Sequence, residues 1–197
     1  GLPVRQALAA VVTNVASDHL GEYGVNTVAD LAQVKFAIRR GLRAGGVLIL
    51  NADDGPVVAE AERSGVAACW FSLSPDSRHI VAAKAAGQAC AWADATHLHL
   101  HDGRETMSIV AINDIPIAMS GAARYNVSNA LAAVCLCHAL GIDVPPMRRA
   151  LAAFRSDPRD NPGRCNEFDH NGARVFVDFA HNPHSIAAVT GALAASQ

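Results

Sequence analysis

Charge is scarce in this sequence. Only 17% of its 197 residues are Asp, Glu, Lys or Arg, and the formal net charge is −2. Nucleic-acid binding needs a basic stripe against the phosphate backbone, so this composition excludes a nucleic-acid-binding role. No apolar run approaches the roughly 20 residues that cross a bilayer, which excludes a helical membrane span. There is no Cys-x-x-Cys pair, and the five cysteines (Cys69, Cys90, Cys135, Cys137 and Cys165) are odd in number. They read as small buried hydrophobes rather than a disulfide framework. Nothing at the start resembles a signal peptide, so reducing cytoplasm is the expected compartment. The chain opens Gly1-Leu2-Pro3-Val4 without an initiator methionine, and the expectation is that it begins inside a longer protein.

What is present is apolar: 51% of the residues are hydrophobic. A domain of about 150 residues buries roughly 70% of its unfolded surface, so a core without staples is feasible. Residues 10–15, Ala-Val-Val-Thr-Asn-Val, read as a strand buried on both faces. Residues 26–43 place Val28, Leu31, Val34, Ile38 and Leu42 three or four apart, an amphipathic helix with Asn26 or Thr27 as its N-cap and Gly45-Gly46 as its stop. A strand at 47–50, a helix at 56–64 after Pro56, and a strand at 68–73 continue the alternation, which implies parallel crossovers. From 89 to 119 the period changes to two, with Asp102-Gly103 as a hairpin signal, so a small antiparallel section is expected there. Helices at 126–140 and 145–154 should pack as a pair. The Pro- and Gly-rich stretch 155–164 reads as a linker, and the domain boundary falls near residue 160. Beyond it, a strand at 174–179 and a helix at 185–195 make a single β-α unit. The fold class is therefore α/β: a largely parallel sheet flanked by helices, a small antiparallel part, then the first β-α unit of a Rossmann-like domain.

Chemistry-bearing residues cluster where parallel strands end, and α/β proteins place ligands there. Thr13-Asn14 with Asp18-His19-Leu20-Gly21 follows the first strand. His19 and Asp18 could organise a hydrated magnesium ion, or Asp18 could cap a turn beside a surface histidine. Lys35 lies between Val34 and Phe36 on the side of the helix read as apolar, where it either snorkels or loses its proton and becomes open to carbamylation. Asn126 and Asn129, three apart, put two amides on one helical face: a nucleotide contact, or an N-cap and a polar first turn. Asp178-Phe179-Ala180-His181-Asn182-Pro183 sets a carboxylate, a ring and an imidazole at a strand end. His97, His99 and His101 read as a solvated hairpin face in preference to a transition-metal site.

In this order, Thr13-Asn14 with Asp18-His19-Leu20, Lys35, Asn51-Ala52-Asp53-Asp54, Tyr125-Asn126-x-x-Asn129-Ala130, Pro162-Gly163-Arg164 and Asp178-Phe179-Ala180-His181-Asn182-Pro183 resemble the Mur ligase superfamily. Within it they look most like the C-terminal ligase half of the cyanophycin synthetases, with muramyl peptide and folylpolyglutamate ligases as alternatives. The resemblance implies an ATP-dependent carboxylate–amine ligase. ATP would phosphorylate a small-molecule or peptide carboxylate, and an amino acid's amine would attack the acyl phosphate.

The resemblance also implies residue roles. His19 would bind Mg2+, and Lys35 would be carbamylated to organise that metal. Asn126 and Asn129 would lie near adenine and ribose, Arg164 near the phosphates, and Asp178 and His181 would close on the nucleotide. It implies residues 1–160 as the later part of a central ATP-binding domain and 161–197 as a linker and the beginning of a C-terminal ligase domain. The Gly-rich loop ending in Gly-Lys-Thr or Gly-Lys-Ser that cradles ATP phosphates is absent from this sequence. The expectation is that the 197 residues alone do not catalyse ligation. A non-catalytic assembly module is the reading from another class, and an orphaned β-α unit is expected to drive homo-oligomer formation or disorder.

Overall fold

The computed structural model describes residues 5–18 and 20–196. Six strands form one sheet whose spatial order is the order of the chain: β1 (Ala7–Val12), β2 (Leu42–Asn51), β3 (Cys69–Ser72), β4 (Cys90–Ala93), β5 (His97–His101) and β6 (Thr106–Ala111). β1 to β4 run parallel, and β5 and β6 are added antiparallel at the edge.

The pleat explains the layers, because successive side chains point to opposite faces. Ala10, Val12, Leu48 and Leu50 pack with Ala32 and Phe36 of α1 (Val28–Phe36) and with Val57 and Ala61 of α2 (Gly55–Ser64). Their neighbours Ile49, Cys69, Phe71 and Ala91 face the other way, toward α4 (Arg124–Ala139). α4 presents Val127, Ala130, Leu131, Val134 and Cys135, an i, i+3, i+4, i+7, i+8 stripe. α3 (Arg78–Ala85) covers β3 and β4 through Ile80 and Ala83, which pack with Cys90 and Trp92. Full burial of a side chain such as Phe71 contributes roughly 1.5–3 kcal/mol, so this stack dominates stability. α5 (Val144–Ala153) is tied to β6, where the Arg148 guanidinium donates to the Ile109 carbonyl at 2.6 Å.

The first helix is shorter than its periodicity implied. It begins with a Thr27 capping box, in which Thr27 Oγ1 accepts from Asp30 N–H and Asp30 accepts from Thr27 N–H. It ends at Phe36 and gives way to a 3-10 turn, Ala37–Gly41. Gly45-Gly46, read as its stop, lie inside β2 at a bulge where the register with β1 slips. Gly45 has φ +71, and a Cβ on Gly46 would meet the Ala7 and Arg43 carbonyl oxygens at 3.0 Å, so the bulge requires both glycines.

Two elements had no counterpart in the sequence reading: α3, and β7 (Asn166–His170). β7 pairs antiparallel with β8 (Ala173–Val177) around an Asn171-Gly172 turn, so the strand before α6 (Pro183–Ala195) is one arm of a hairpin rather than a lone β-α unit. The three histidines of β5 also depart from a solvated face. His101 is buried, and His99 stacks on Trp92 with centroids 5.5 Å apart while bonding Asp94 Oδ2 at 2.7 Å. Trp92, on the adjoining strand, recruits His99 by ring stacking.

Candidate functional site

The carboxyl ends of β1, β2 and β3, the first turns of α4, and the segment joining β8 to α6 surround one cleft of ≈ 590 Å³. Thr13, Asn14, Asn51, Asp53 and Asp54 line it from the sheet, Arg124, Asn126 and Asn129 from α4, and Arg164, Asp178, Phe179 and His181 from the C-terminal side. A smaller cavity of ≈ 210 Å³ adjoins it, lined by Asp18, Leu31, Lys35 and Asn182 among others, and the two share Asn14, His184 and Ser185. The structure thus brings Asn126, Asn129, Arg164, Asp178 and His181 together in one cleft and sets Lys35 next door. His19 lies outside the described residues.

Local chemistry explains how each wall is held. The chain enters α4 through the 3-10 turn Pro116–Gly121, in which Met119 and Ser120 adopt left-handed φ of 51 and 53. Asn126 secures that turn by donating its amide to the Ile117 carbonyl at 2.8 Å, and Asn129 Nδ2 donates to Asn126 Oδ1 at 3.4 Å. The first helical residues are Arg124 and Tyr125, so Asn126 sits inside the first turn and is not its N-cap. The Tyr125 hydroxyl is buried and finds no hydrogen-bond partner among the described residues. Burial pushes its phenol above the ordinary range, with the Cys165 thiol and the Asp178 carboxylate adding to the shift.

The carboxylates of the cleft serve the backbone. Asp53 accepts from Ser72 Oγ and Leu73 N–H, both at 2.6 Å. Asp54 caps α2 through Val57 N–H at 2.9 Å and accepts from Val15 N–H at 3.2 Å, tying the β1 loop to β2. Asp178 accepts from Cys165 N–H at 2.8 Å and Ala180 N–H at 2.7 Å, and Phe179 N–H donates to the Gly163 carbonyl at 2.9 Å. These bonds fold the 163–165 segment against the end of β8. His181 is held between Nδ1, 3.0 Å from the Phe179 carbonyl oxygen, and Nε2, 3.6 Å from Asp18 Oδ2.

The cations stand differently. The side chains of Arg124, Arg164, Lys35 and His184 make no hydrogen bond or ion pair among the described residues. Arg164 lies over the Phe179 ring at 5.3 Å. Lys35 is exposed on α1, not buried on an apolar face, because Val34 beside it is also turned outward at 54% exposure. Sequence reasoning passed over Arg124 and His184. His184 lies in the first turn of α6, directly after the Asp178–Pro183 motif, and its place beside that motif was a usable signal.

Such a sheet, with a polar cleft at the strand ends, defines an α/β domain of the kind that takes ligands outside the carboxyl ends of its strands. The Mur ligase middle domain model matches residues 4–137, and the chain belongs to the Mur ligase family. It is 32% identical to the cyanophycin synthetase of Crocosphaera subtropica over 189 residues, covering 96% of this chain and 22% of that protein. The cyanophycin synthetase of Trichormus variabilis is 34% identical over the same length, with 21% of it covered. The UDP-N-acetylmuramate–L-alanine ligase of Nocardia farcinica is 33% identical over 197 residues, with 36% covered. The chain thus spans about a fifth to a third of the length of these relatives. In fold it matches crystal structures of MurF from Acinetobacter baumannii, one with a TM-score of 0.67 at 21% identity, covering 98% of this chain and 38% of that one. Among the described residues no helix is long and apolar enough to cross a membrane.

Proposed function

We propose that this chain is the part of an ATP-dependent carboxylate–amine ligase that holds the adenine side and the phosphates of the nucleotide. The observation that carries the reading is the asymmetry of the cleft: its carboxylates are committed to backbone N–H groups and the Ser72 hydroxyl, while the side chains of Arg124, Arg164, His184 and the neighbouring Lys35 make no hydrogen bond or ion pair among the described residues. A cavity whose available donors are cationic is suited to an anion, and phosphoryl transfer is catalysed largely by positioning and charge neutralisation.

In this reading Asn126 and Asn129 contact adenine and ribose and Arg164 binds phosphate oxygens. Asp178 and His181 hold the C-terminal segment closed over them. A small-molecule or peptide carboxylate and an amino acid are the substrates. Residues 161–197 begin a second domain, and Arg164 crosses from it to the nucleotide. The chemistry is that of the cyanophycin synthetases, with muramyl peptide substrates as the alternative.

Magnesium fits less directly. Among the described residues no group of three His, Cys, Asp or Glu side chains is placed to hold a metal ion. Mg2+ commonly arrives with substrate phosphates and keeps several waters, which leaves His19 and a carbamylated Lys35 as the protein ligands this reading requires. Carbamylation would add one carbon dioxide to the intact mass, on Lys35.

The test is backbone NMR of the 197-residue chain titrated with ATP. Resonances of residues 126–129 and 163–165 should shift at millimolar nucleotide, and Arg164→Ala should weaken binding about tenfold or more, the worth of a charge-assisted hydrogen bond. Shifts confined to other surfaces, or none, would sink the reading. The same sample should form no amide from ATP, a carboxylate and an amino acid, since the sequence carries no Gly-Lys-Thr or Gly-Lys-Ser loop.

A specific feature favours the second reading, an assembly module. Phe168, Val175 and Val177 lie on one face of the β7–β8 hairpin and are 41–48% exposed. Size-exclusion chromatography at rising concentration distinguishes the two, because self-association through this face should disappear in Phe168→Ser/Val175→Ser while ATP-induced shifts persist.

A further inference from the structure

The two cavities meet at three residues, and those three differ in what they have left to offer. Ser185 is fully engaged within the α6 capping box: its hydroxyl accepts from His181 N–H at 3.2 Å and Asn182 N–H at 3.3 Å and donates to the Asn182 carbonyl at 3.0 Å. Asn14 Oδ1 accepts from Thr13 Oγ1 at 3.2 Å. His184, exposed on the first turn of α6, has neither ring nitrogen committed among the described residues. It lines the large cleft together with Arg164 and the small one together with Lys35.

We infer that His184 is a binding residue at this junction, donating a ring N–H to an oxyanion of a ligand that reaches from the large cleft into the Lys35 cavity. Three features support it. His184 lines both cavities. Arg164 lines the large cleft and Lys35 the small one, and neither makes a side-chain hydrogen bond or ion pair among the described residues, so both remain able to join the imidazole in holding an oxyanion. Of the carboxylates lining the two cavities, Asp53, Asp54 and Asp178 accept hydrogen bonds at both oxygens, and Asp18 Oδ2 lies 3.6 Å from His181 Nε2. Two sources supply such an oxyanion: the terminal phosphoryl oxygens of a nucleotide, or the carboxylate that the proposed reaction activates. The inference rests on the reading of the cleft as a ligase site and names one more residue in it.

Calorimetry of the 197-residue chain with inorganic tripolyphosphate and, separately, with glutarate tests it. His184→Ala should weaken one of these ligands about tenfold, and His184→Gln, which keeps a donor, should recover part of the loss. His170→Ala, on the exposed hairpin away from the cleft, should leave affinity unchanged. A loss confined to tripolyphosphate assigns the contact to a phosphoryl group, and a loss confined to glutarate assigns it to a carboxylate. If Arg164→Ala weakens binding and His184→Ala does not, the inference about His184 is overturned and the site reading stands. If neither anion binds the wild-type chain, both fall.

Discussion

The sheet and the C-terminal hairpin–helix are built on opposite principles. In the sheet, strands and helices enclose Phe71, Ile49, Leu50, Leu98, Leu100 and Leu131, all with at most 1% of their surface exposed. Across residues 161–196 only Cys165, Asn166 and Ala192 are buried. What holds that segment is polar: Asp178 on Cys165 and Ala180, Gly163 N–H on Asn166 Oδ1 at 2.7 Å, Asn166 Nδ2 on the Asn161 carbonyl at 3.0 Å, and Phe179 on Gly163. Hydrogen bonds each contribute only about 1 kcal/mol net, so the hairpin–helix should open far more readily than the sheet. A wall of the cleft that is easily released is what the proposed function asks of it, since a bound nucleotide would have to enter and leave.

The sharpest way to break this contrast is a matched pair of truncations. Phe71→Ala in the sheet should cost about 3–5 kcal/mol, while Val175→Ala on the hairpin should stay within about 0.5 kcal/mol, both read from urea midpoints. Comparable losses would mean that the hairpin is as integral to the cooperative unit as the core.

Asp178→Ala comes next. It leaves two backbone N–H groups without their acceptor, at about 1–3 kcal/mol for each that stays buried. The effect should be local: amide exchange at residues 163–180 should quicken while that of β2 and β3 holds. Uniform acceleration would show that the two regions open together.

The smallest effect is a pH dependence within the sheet region. Asp94 is held well below the ordinary carboxylate value of 3.8 by N–H donation from Thr96 and His97, with His99 adding to it. A depressed folded pKa means that the unfolded chain binds the proton first. The stabilisation is therefore fully present above about pH 4 and is lost as the pH falls below 3.8 toward the depressed value. Asp94→Asn should flatten the acid limb of the stability curve. An unchanged limb would place the acid sensitivity elsewhere, in the polar joints of the C-terminal segment.

The two regions also differ in how legible they were. The parallel strands and α4 were readable because each buries a continuous or 3.6-periodic apolar set, as with Val127, Ala130, Leu131 and Val134. α3 escaped because it buries only Ile80 and Ala83 and exposes Val81, leaving little periodic signal. β7, Asn-Glu-Phe-Asp-His, escaped because a strand with both faces largely in solvent has no hydrophobic alternation to display. Gly45-Gly46 misled because a bulge and a helix stop use the same residues. The sequence placed most of the candidate site residues at strand ends and helix starts, and the structure gathers five of them in one cleft. It could not show that the carboxylates are occupied by distant backbone, such as Asp54 with Val15, nor that Lys35 is exposed, since both depend on how loops return across the sheet.

One further property follows from the strand order. Because β1 through β6 lie side by side in chain order, each strand from β2 to β6 pairs with the one immediately before it and need not wait for a later segment. Parallel sheets are otherwise slow to assemble, because their pairings close long loops. Within this sheet growth can run strand by strand, and α4 seals the face once the antiparallel edge has been laid down.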